Sequence, residues 1–317
     1  MTTTRIGTSD LEIFPLTLGG NVFGWTADRD ASFAVLDAFT EAGGTRIDTA
    51  DSYSHWVPGH EGGESERMIG EWVAARKPAG VQIATKVGMQ PGASSLDAAN
   101  VRAVAEQSLR RLNVEALDLF YAHQPDASRP LEETVAAFDG LVRDGLIRTI
   151  GLSNYPAAEI EQWLEIAERT GAAKPVALQP QYSLVHREQT ERDIVPVAEK
   201  HGLSILPYYS LASGFLTGKY REPVELGDSP RAGGASQYAT AEGVRLIDEL
   251  ERIGREHGAS IASTALAWLR QQPTVAAPIA SASKASQVAD LIASASVTLT
   301  DAELASLSEV SAAVVTE

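Results

Sequence analysis

Short apolar runs alternate with longer amphipathic stretches along all 317 residues. The runs Leu16–Gly20, Arg46–Asp48, Val81–Lys86, Leu117–Ala122, Ile147–Leu152, Pro175–Gln179, Ser204–Pro207 and Val275–Ile279 have strand length and β-prone composition. Helical spacing marks Ala31–Glu41, Glu64–Arg76, Asp97–Leu112, Leu131–Asp144, Ala157–Thr170, Arg187–His201, Ala241–His257 and Ile261–Gln271. Gly43-Gly44 stops the first of these helices, and Ser95 is the expected cap of the third. The tail Thr298–Thr316 reads as a further helix packed across the exterior.

Strands that alternate with helices pair in parallel. About eight such units, with no linker long enough to divide them, predict an α/β fold: one (β/α)8 barrel domain spanning 1–317, with an N-terminal hairpin and extra C-terminal helices. An open doubly wound sheet is the alternative. It usually carries Gly-x-Gly-x-x-Gly after its first strand, and this chain does not. Two stretches break the rhythm, Ser54–Gly63 and Ser213–Ser236, both rich in Gly, Pro and charged residues. Each follows a strand, so each is expected over the active rim, where long loops bind or cover ligands.

Composition narrows the function. With 42 acidic against 26 basic residues the formal net charge is −16, which argues against broad binding of nucleic acid or an anionic membrane. An anionic cofactor remains compatible, because a few Lys residues and helix N-termini hold phosphates. The absence of cysteine removes disulfides, thiolate metal sites and Cys nucleophiles. The start of the chain lacks an apolar signal core, and no run approaches the ~18 apolar residues of a membrane span. A cytoplasmic protein is expected.

The candidate chemistry lies at strand ends. Asp48 and Tyr53 sit in RIDTADSY, Lys86 closes IATKVG, and His123 closes the strand in DLFYAHQ. In a parallel barrel such positions converge on one rim. A neighbouring ammonium favours the phenolate of a Tyr, and an Asp fixes that ammonium in place. Such a Tyr can give a proton to a carbonyl oxygen as hydride reaches the carbon, or take it back in reverse. His55, His60, Glu61 and Glu64 cluster in one loop but match no strong metal-ligand spacing, so no metal is expected. Trp25 and Trp56 follow the first strand and the Tyr, where aromatic side chains wall a substrate pocket. Tyr121, inside a strand, reads as core.

Taken together, DTADSY, TKVG, DLFYAHQPD, GLSN, LQPQYSL, YYSLASGFLTGKY and PIASASK, in this order, resemble the aldo-keto reductase superfamily. GGESERMIG and GFLTGKY place the likeness nearer the bacterial and potassium-channel β-subunit branch. The resemblance covers essentially the whole chain. It implies NADPH, ahead of NADH, bound across the C-terminal rim, and no metal. It implies a tetrad of Tyr53 as proton donor, Lys86 and Asp48 as its tuning pair, and His123 orienting the carbonyl.

The resemblance also distributes a cofactor site. Ser153, Asn154 and Gln179 would face the nicotinamide carboxamide, and Tyr208 would stack on its ring. Gly19, Gly20 and Asn21 would line the cleft, and Leu211, Ser213, Gly214, Leu216 and Lys219 would follow the pyrophosphate. Ile279, Ser281, Ser283, Lys284, Gln287 and Asp290 would take the adenosine end, with Lys284 on the 2′-phosphate. Relatives often have Pro-Gly at Ala280-Ser281, Arg at Gln287 and Pro at Ser210; the first two departures leave fewer cations near the ribose. Trp25, Tyr53, Trp56, His123 and Gln124 would border the substrate, a small carbonyl compound, and Gln124 with Asp126 could suit a polyhydroxylated one. A monomer is the default. The rival reading is a cofactor-binding redox sensor or regulatory subunit acting through a partner, as channel β-subunits do.

Overall fold

A computed structural model describes residues 3–221 and 232–314. The barrel strands are Thr17–Gly19 (β1), Arg46–Asp48 (β2), Gln82–Val87 (β3), Leu117–Ala122 (β4), Ile147–Ser153 (β5), Pro175–Gln179 (β6), Ser204–Ile205 (β7) and Ile279–Ala280 (β8). They form one sheet in the order β8-β1-β2-β3-β4-β5-β6-β7, with every neighbouring pair parallel. The sheet curls into a barrel. Its seam is closed by backbone bonds from Ile205 N to Thr274 O (2.8 Å), Ala276 N to Ile205 O (3.0 Å) and Ile279 N to Pro207 O (2.9 Å).

That seam corrects the expected last strand. The run Val275–Ile279 does not pair as one piece. Val275 bridges Ile205 on one side, and only Ile279–Ala280 pair with β1 on the other. Pro278 lies between them with no N–H to give to a ladder, while its carbonyl accepts from Thr17 N at 2.9 Å. The helix expected over Arg187–His201 is likewise interrupted. It opens with a π-helical turn, Thr190–Ile194, before Val195–His201. Pro196 lacks the N–H that a regular ladder needs there, and the Val195 N–H bonds back to Thr190 O instead. A third correction concerns a cap. Asp97, not Ser95, accepts from Asn100 N at 2.9 Å and opens the helix Ala98–Leu112; Ser95 donates to Asp97 instead.

The remaining helices begin and end where side-chain chemistry allows. Asp28, Thr240, Ser260 and Thr300 supply caps, and Gly171, Gly202 and Gly258 leave the helix through left-handed conformations. The hairpin Thr4–Arg5 with Glu12–Ile13 closes the barrel floor. Its Ile6, Leu11 and Ile13 pack with Ala84, Leu119, Tyr121, Ala177 and Leu206 in one apolar cluster. Tyr121 is fully buried there, as expected. The tail helix is Asp301–Ser311, held to the exterior where Trp268 Nε1 donates to Ser308 Oγ (3.2 Å) and Ser306 Oγ to Glu249 (2.6 Å). Of the expected tail, residues 315–316 lie outside the described residues, as do residues 222–231 of the expected Ser213–Ser236 loop.

Gly70 shows how tightly the outer layer is set. It lies on the helix Glu64–Arg76, and a Cβ there would collide with the backbone carbonyl of Arg111 on the neighbouring helix. Gly→Ala in an exposed helix stabilises by about 1 kcal/mol. Gly70→Ala is expected to do the reverse, destabilising by about 1–3 kcal/mol through overpacking. A urea unfolding midpoint that rises in this variant would show that the two helices separate freely.

Candidate active site

Barrel geometry brings Asp48, Lys86 and Tyr53 together. Asp48 ends β2 and Lys86 lies near the end of β3, one strand over. Both side chains are buried, with the Lys86 side chain 0% and the Asp48 side chain 3% exposed. The Lys86 ammonium has three N–H donors. It donates to Asp48 Oδ2 at 2.6 Å, to the Thr49 carbonyl at 2.6 Å and to Tyr53 Oη at 2.9 Å. Across the barrel, Gln179 Nε2 donates to Asp48 Oδ1 at 2.9 Å. Asp48 is thus held from two sides and Lys86 on all three of its hydrogens.

His123 follows β4 on the same rim, its ring centroid 6.2 Å from that of Tyr53. Its backbone N–H bonds to Val87 O at 2.8 Å. Burial, reinforced by the Lys86 charge, holds its imidazole well below the ordinary His value. The ring is therefore neutral at pH 7 and keeps one N–H to offer. Nδ1 is buried without a partner.

Tyr53 departs from one expectation. Its ring is partly exposed, yet its hydroxyl end is enclosed. Burial, then the Asp48 carboxylate, push the phenol well above its ordinary value, where a lowered value was expected from Lys86. Asp48 neutralises most of what the ammonium would do for the phenolate, and desolvation does the rest. The phenol consequently holds its proton at neutral pH, and the Lys86 N–H is placed to receive the charge once that proton leaves.

Four of the expected cofactor residues, Ser153, Asn154, Gln179 and Tyr208, gather beside this group. Ser153 Oγ donates to the Gln179 carbonyl at 2.9 Å, and Asn154 Nδ2 to the His123 carbonyl at 2.8 Å. Tyr208 Oη donates to Asn154 Oδ1 at 2.7 Å. The three residues expected to face a carboxamide are therefore together, with their polar atoms engaged with one another, with Tyr208 and with Asp48. Asn154 adopts a left-handed conformation, φ 60°, to turn its amide this way.

The turn after Tyr208 is unusual. Tyr209, Ala212, Ser213 and Gly214 all have positive φ. At Gly214, with φ 93°, an added Cβ would also press on the Lys219 ammonium end at 3.1 Å. Gly19 and Gly20 are similar cases of close approach: a Cβ at Gly19 would stand 2.5 Å from Ser281 Oγ, and one at Gly20 2.9 Å from Ser65 Oγ. Ser281 Oγ donates to Asn21 Oδ1 at 2.7 Å. These donors, amides and bare backbone fit a nicotinamide dinucleotide: small residues line the cleft, an aromatic stands beside paired amides, and Lys219 and Lys284 are exposed cations.

Several other expected residues make contacts within the protein. Leu216 is fully buried in the main core. The Ile279 side chain lies in the barrel-interior cluster. The backbone N–H groups of Ser283 and Lys284 do not point outward at an anion. Both donate to Gln287 Oε1, at 2.8 and 3.1 Å, closing the helix start from within. Asp290 is exposed, and only its backbone carbonyl is engaged, by Ser263. Gln124 is committed to the Gly88 carbonyl at 2.9 Å. Asp126 accepts from Leu96 N at 2.9 Å and Ser128 Oγ at 2.6 Å.

The mouth is aromatic. Trp25 and Trp56 meet edge to face at 5.5 Å, and Trp56 stands 6.2 Å from Tyr53. Trp56 and Tyr209 are 44% and 54% exposed, and no other large hydrophobic residue is as open among those described. Sequence reasoning passed over the buried Asp51 and Glu66 and the half-buried Arg111, charged groups beyond the tetrad. Two lay within quoted motifs, but Arg111, which compensates Glu66, comes from a separate helix, and no spacing rule joins them.

Parallel strands curled into a barrel, with a Tyr–Lys–Asp–His group at their C-terminal ends, define a class of barrel oxidoreductases. The aldo/keto reductase family model matches residues 15–312, so the chain belongs to that family, whose members are oxidoreductases of carbonyl compounds that generally use NAD(P)H. The chain is 35% identical to human aflatoxin B1 aldehyde reductase member 4, over 80% of this chain and 78% of that protein. It is 30% identical to a probable voltage-gated potassium channel subunit beta of Oryza sativa subsp. japonica, over 90% and 88% respectively. A glycerol dehydrogenase from Gluconobacter oxydans superposes with a TM-score of 0.85 at 28% identity, covering 99% of this chain and 96% of that one. No described helix is long and apolar enough to cross a membrane.

Removing one partner of a buried ion pair leaves the other charge uncompensated, at a cost of about 3–5 kcal/mol. Lys86→Met is expected to lose stability on that scale, and Lys86→Met with Asp48→Asn to recover part of it. Guanidinium unfolding of the single and double variants checks this. A loss below about 1 kcal/mol in Lys86→Met would mean that the pair is not desolvated in solution.

Proposed function

We propose that the protein is an NADPH-dependent reductase of aldehydes and ketones. The observation that supports this best is the enclosed Lys86 ammonium, bonded at once to Asp48 and to the hydroxyl of Tyr53. A bound nicotinamide dinucleotide supplies the hydride to the carbonyl carbon. Tyr53 then gives its proton to the carbonyl oxygen, which becomes the alcohol hydroxyl. Lys86 stabilises the resulting phenolate and Asp48 keeps the ammonium in position. His123, neutral, donates a hydrogen bond to the carbonyl oxygen and fixes its direction. Ser153, Asn154, Gln179 and Tyr208 hold the nicotinamide end; Ser213, Gly214, Lys219 and Lys284 hold the phosphates.

The proposed substrate is flat and largely apolar. Trp25, Trp56 and Tyr209 surround the mouth, and the two exposed rings, Trp56 and Tyr209, offer apolar faces there. A second reading, a redox-sensing subunit, draws support from the likeness to the rice channel subunit. Slow turnover on every carbonyl, cofactor that survives purification and a co-purifying partner would favour it.

Tyr53→Phe is expected to lower kcat by at least about 100-fold, the usual contribution of a general acid, while cofactor affinity stays close to wild type. Following cofactor oxidation with aryl aldehydes and ketones tests this, and undiminished turnover would remove Tyr53 as proton donor. Lys284→Ala is expected to weaken NADPH about tenfold, or 1.4 kcal/mol, and to leave NADH unchanged. Calorimetric titration with both cofactors reads the difference. Equal loss for the two would place Lys284 away from the 2′-phosphate.

A further inference from the structure

Asp51 stands two residues before Tyr53 and is buried, and neither of its carboxyl oxygens makes a well-formed hydrogen bond, the Ser52 N–H acting on it only weakly. Its N–H points to the Lys86 carbonyl at 3.4 Å. The charged and titratable groups near enough to interact with it are Glu66 on the helix Glu64–Arg76, Arg111 on the helix Ala98–Leu112, Lys86 on β3 and the Tyr53 phenol in its own loop. Glu66 is fully buried and already saturated. Thr85 Oγ1 donates to one of its oxygens at 2.6 Å and Arg111 Nη1 to the other at 3.1 Å. Arg111 is thus paired with Glu66, and Lys86 with Asp48, so no cation remains for Asp51. Burial, then the Glu66 carboxylate, push its carboxyl up to about 8, against weaker pulls from the Ser52 N–H, Arg111 and Lys86.

We propose that Asp51 is a positioning residue for proton transfer: an unpartnered buried carboxyl between the Glu66–Arg111 pair and Lys86, whose charge is felt through Lys86 by the Tyr53 phenol. This rests on the reading of Tyr53 as proton donor. With Asp51 protonated, Lys86 faces one counter-charge, Asp48, and is free to stabilise the phenolate. When Asp51 ionises, a second negative charge joins the ammonium. The phenol then becomes a weaker acid, and proton delivery to the carbonyl oxygen slows. The chemistry is unchanged; Asp51 touches neither substrate nor cofactor and acts through Lys86.

The test compares pH profiles of carbonyl reduction in wild type and Asp51→Asn, which mimics the protonated side chain. Wild-type kcat is expected to fall about threefold between pH 7 and 9, the effect of one pKa unit on a half-transferred proton. Asp51→Asn should stay flat over that range, with the KM for cofactor moving in neither protein. The same fall in Asp51→Asn, or a uniform loss at every pH, overturns the proposal, because a packing role would act without regard to pH. A second readout covers a variant that fails to fold: infrared titration of the wild-type protein. A protonated buried carboxyl should give a carbonyl band at neutral pH that disappears above about pH 8, and its absence also overturns the proposal. Failure of the proton-donor reading looks different. Tyr53→Phe would then retain turnover while the infrared band persisted.

Discussion

Everything at the rim depends on one buried ion pair. Taking Lys86 and Asp48 out of water costs several kcal/mol per ion, and only good geometry with every remaining donor and acceptor satisfied offsets that cost. The structure meets the condition. Lys86 uses all three hydrogens within 2.9 Å, and Asp48 receives both Lys86 and Gln179. These bonds join β2, β3 and β6 across the barrel axis, so the pair is as rigid as the sheet. A surface Lys–Asp pair would be screened and mobile, and could not hold a phenol at a fixed distance.

The same dry environment sorts the neighbouring titratable groups by charge state. Burial raises acids and lowers bases. Tyr53 is pushed well up, Tyr121 up to about 12 and Asp51 up to about 8, while the His123 imidazole is pushed well down. At neutral pH the pocket therefore holds a neutral phenol, a neutral imidazole and a largely neutral carboxyl around a single fixed dipole, Lys86–Asp48. That arrangement suits a reaction in which negative charge appears briefly on a carbonyl oxygen. The dipole is in place beforehand, and a proton is available at the hydroxyl it touches.

Much of this was legible in the sequence because it depends on short-range rules. Alternating strand and helix patterns gave the barrel, and helix boundaries such as Glu64–Arg76 and Ala157–Thr170 coincide with the structure. Strand-end placement found Asp48, Tyr53, Lys86 and His123. The failures share a cause. Proline removed a donor at Pro196 and Pro278, and each time the pairing moved to a different partner. Contacts in three dimensions were not legible either: Gln124 to Gly88, Asp126 to Leu96, and the N–H groups of Ser283 and Lys284 to Gln287. A polar residue near a rim looks available in sequence. Only packing reveals which backbone group has already claimed it. Asp51 was hidden for the opposite reason, since its importance lies in having no partner.

The amides beside the tetrad raise a further energetic point. Asn154 gives its N–H to the His123 carbonyl and accepts from Tyr208, while Gln179 serves Asp48. A ligand carboxamide entering here would exchange hydrogen bonds with these groups, and an exchange of equivalent bonds contributes little net free energy. The amides therefore act as a template for orientation. In the proposed binding mode, affinity would come from other contacts: the Tyr208 ring, freed to stack once its hydroxyl leaves Asn154, and the exposed Lys219 and Lys284 ammonium groups, which would meet phosphate charge. Recognition would then be divided along the cleft, with direction set at the tetrad end and binding strength at the far end.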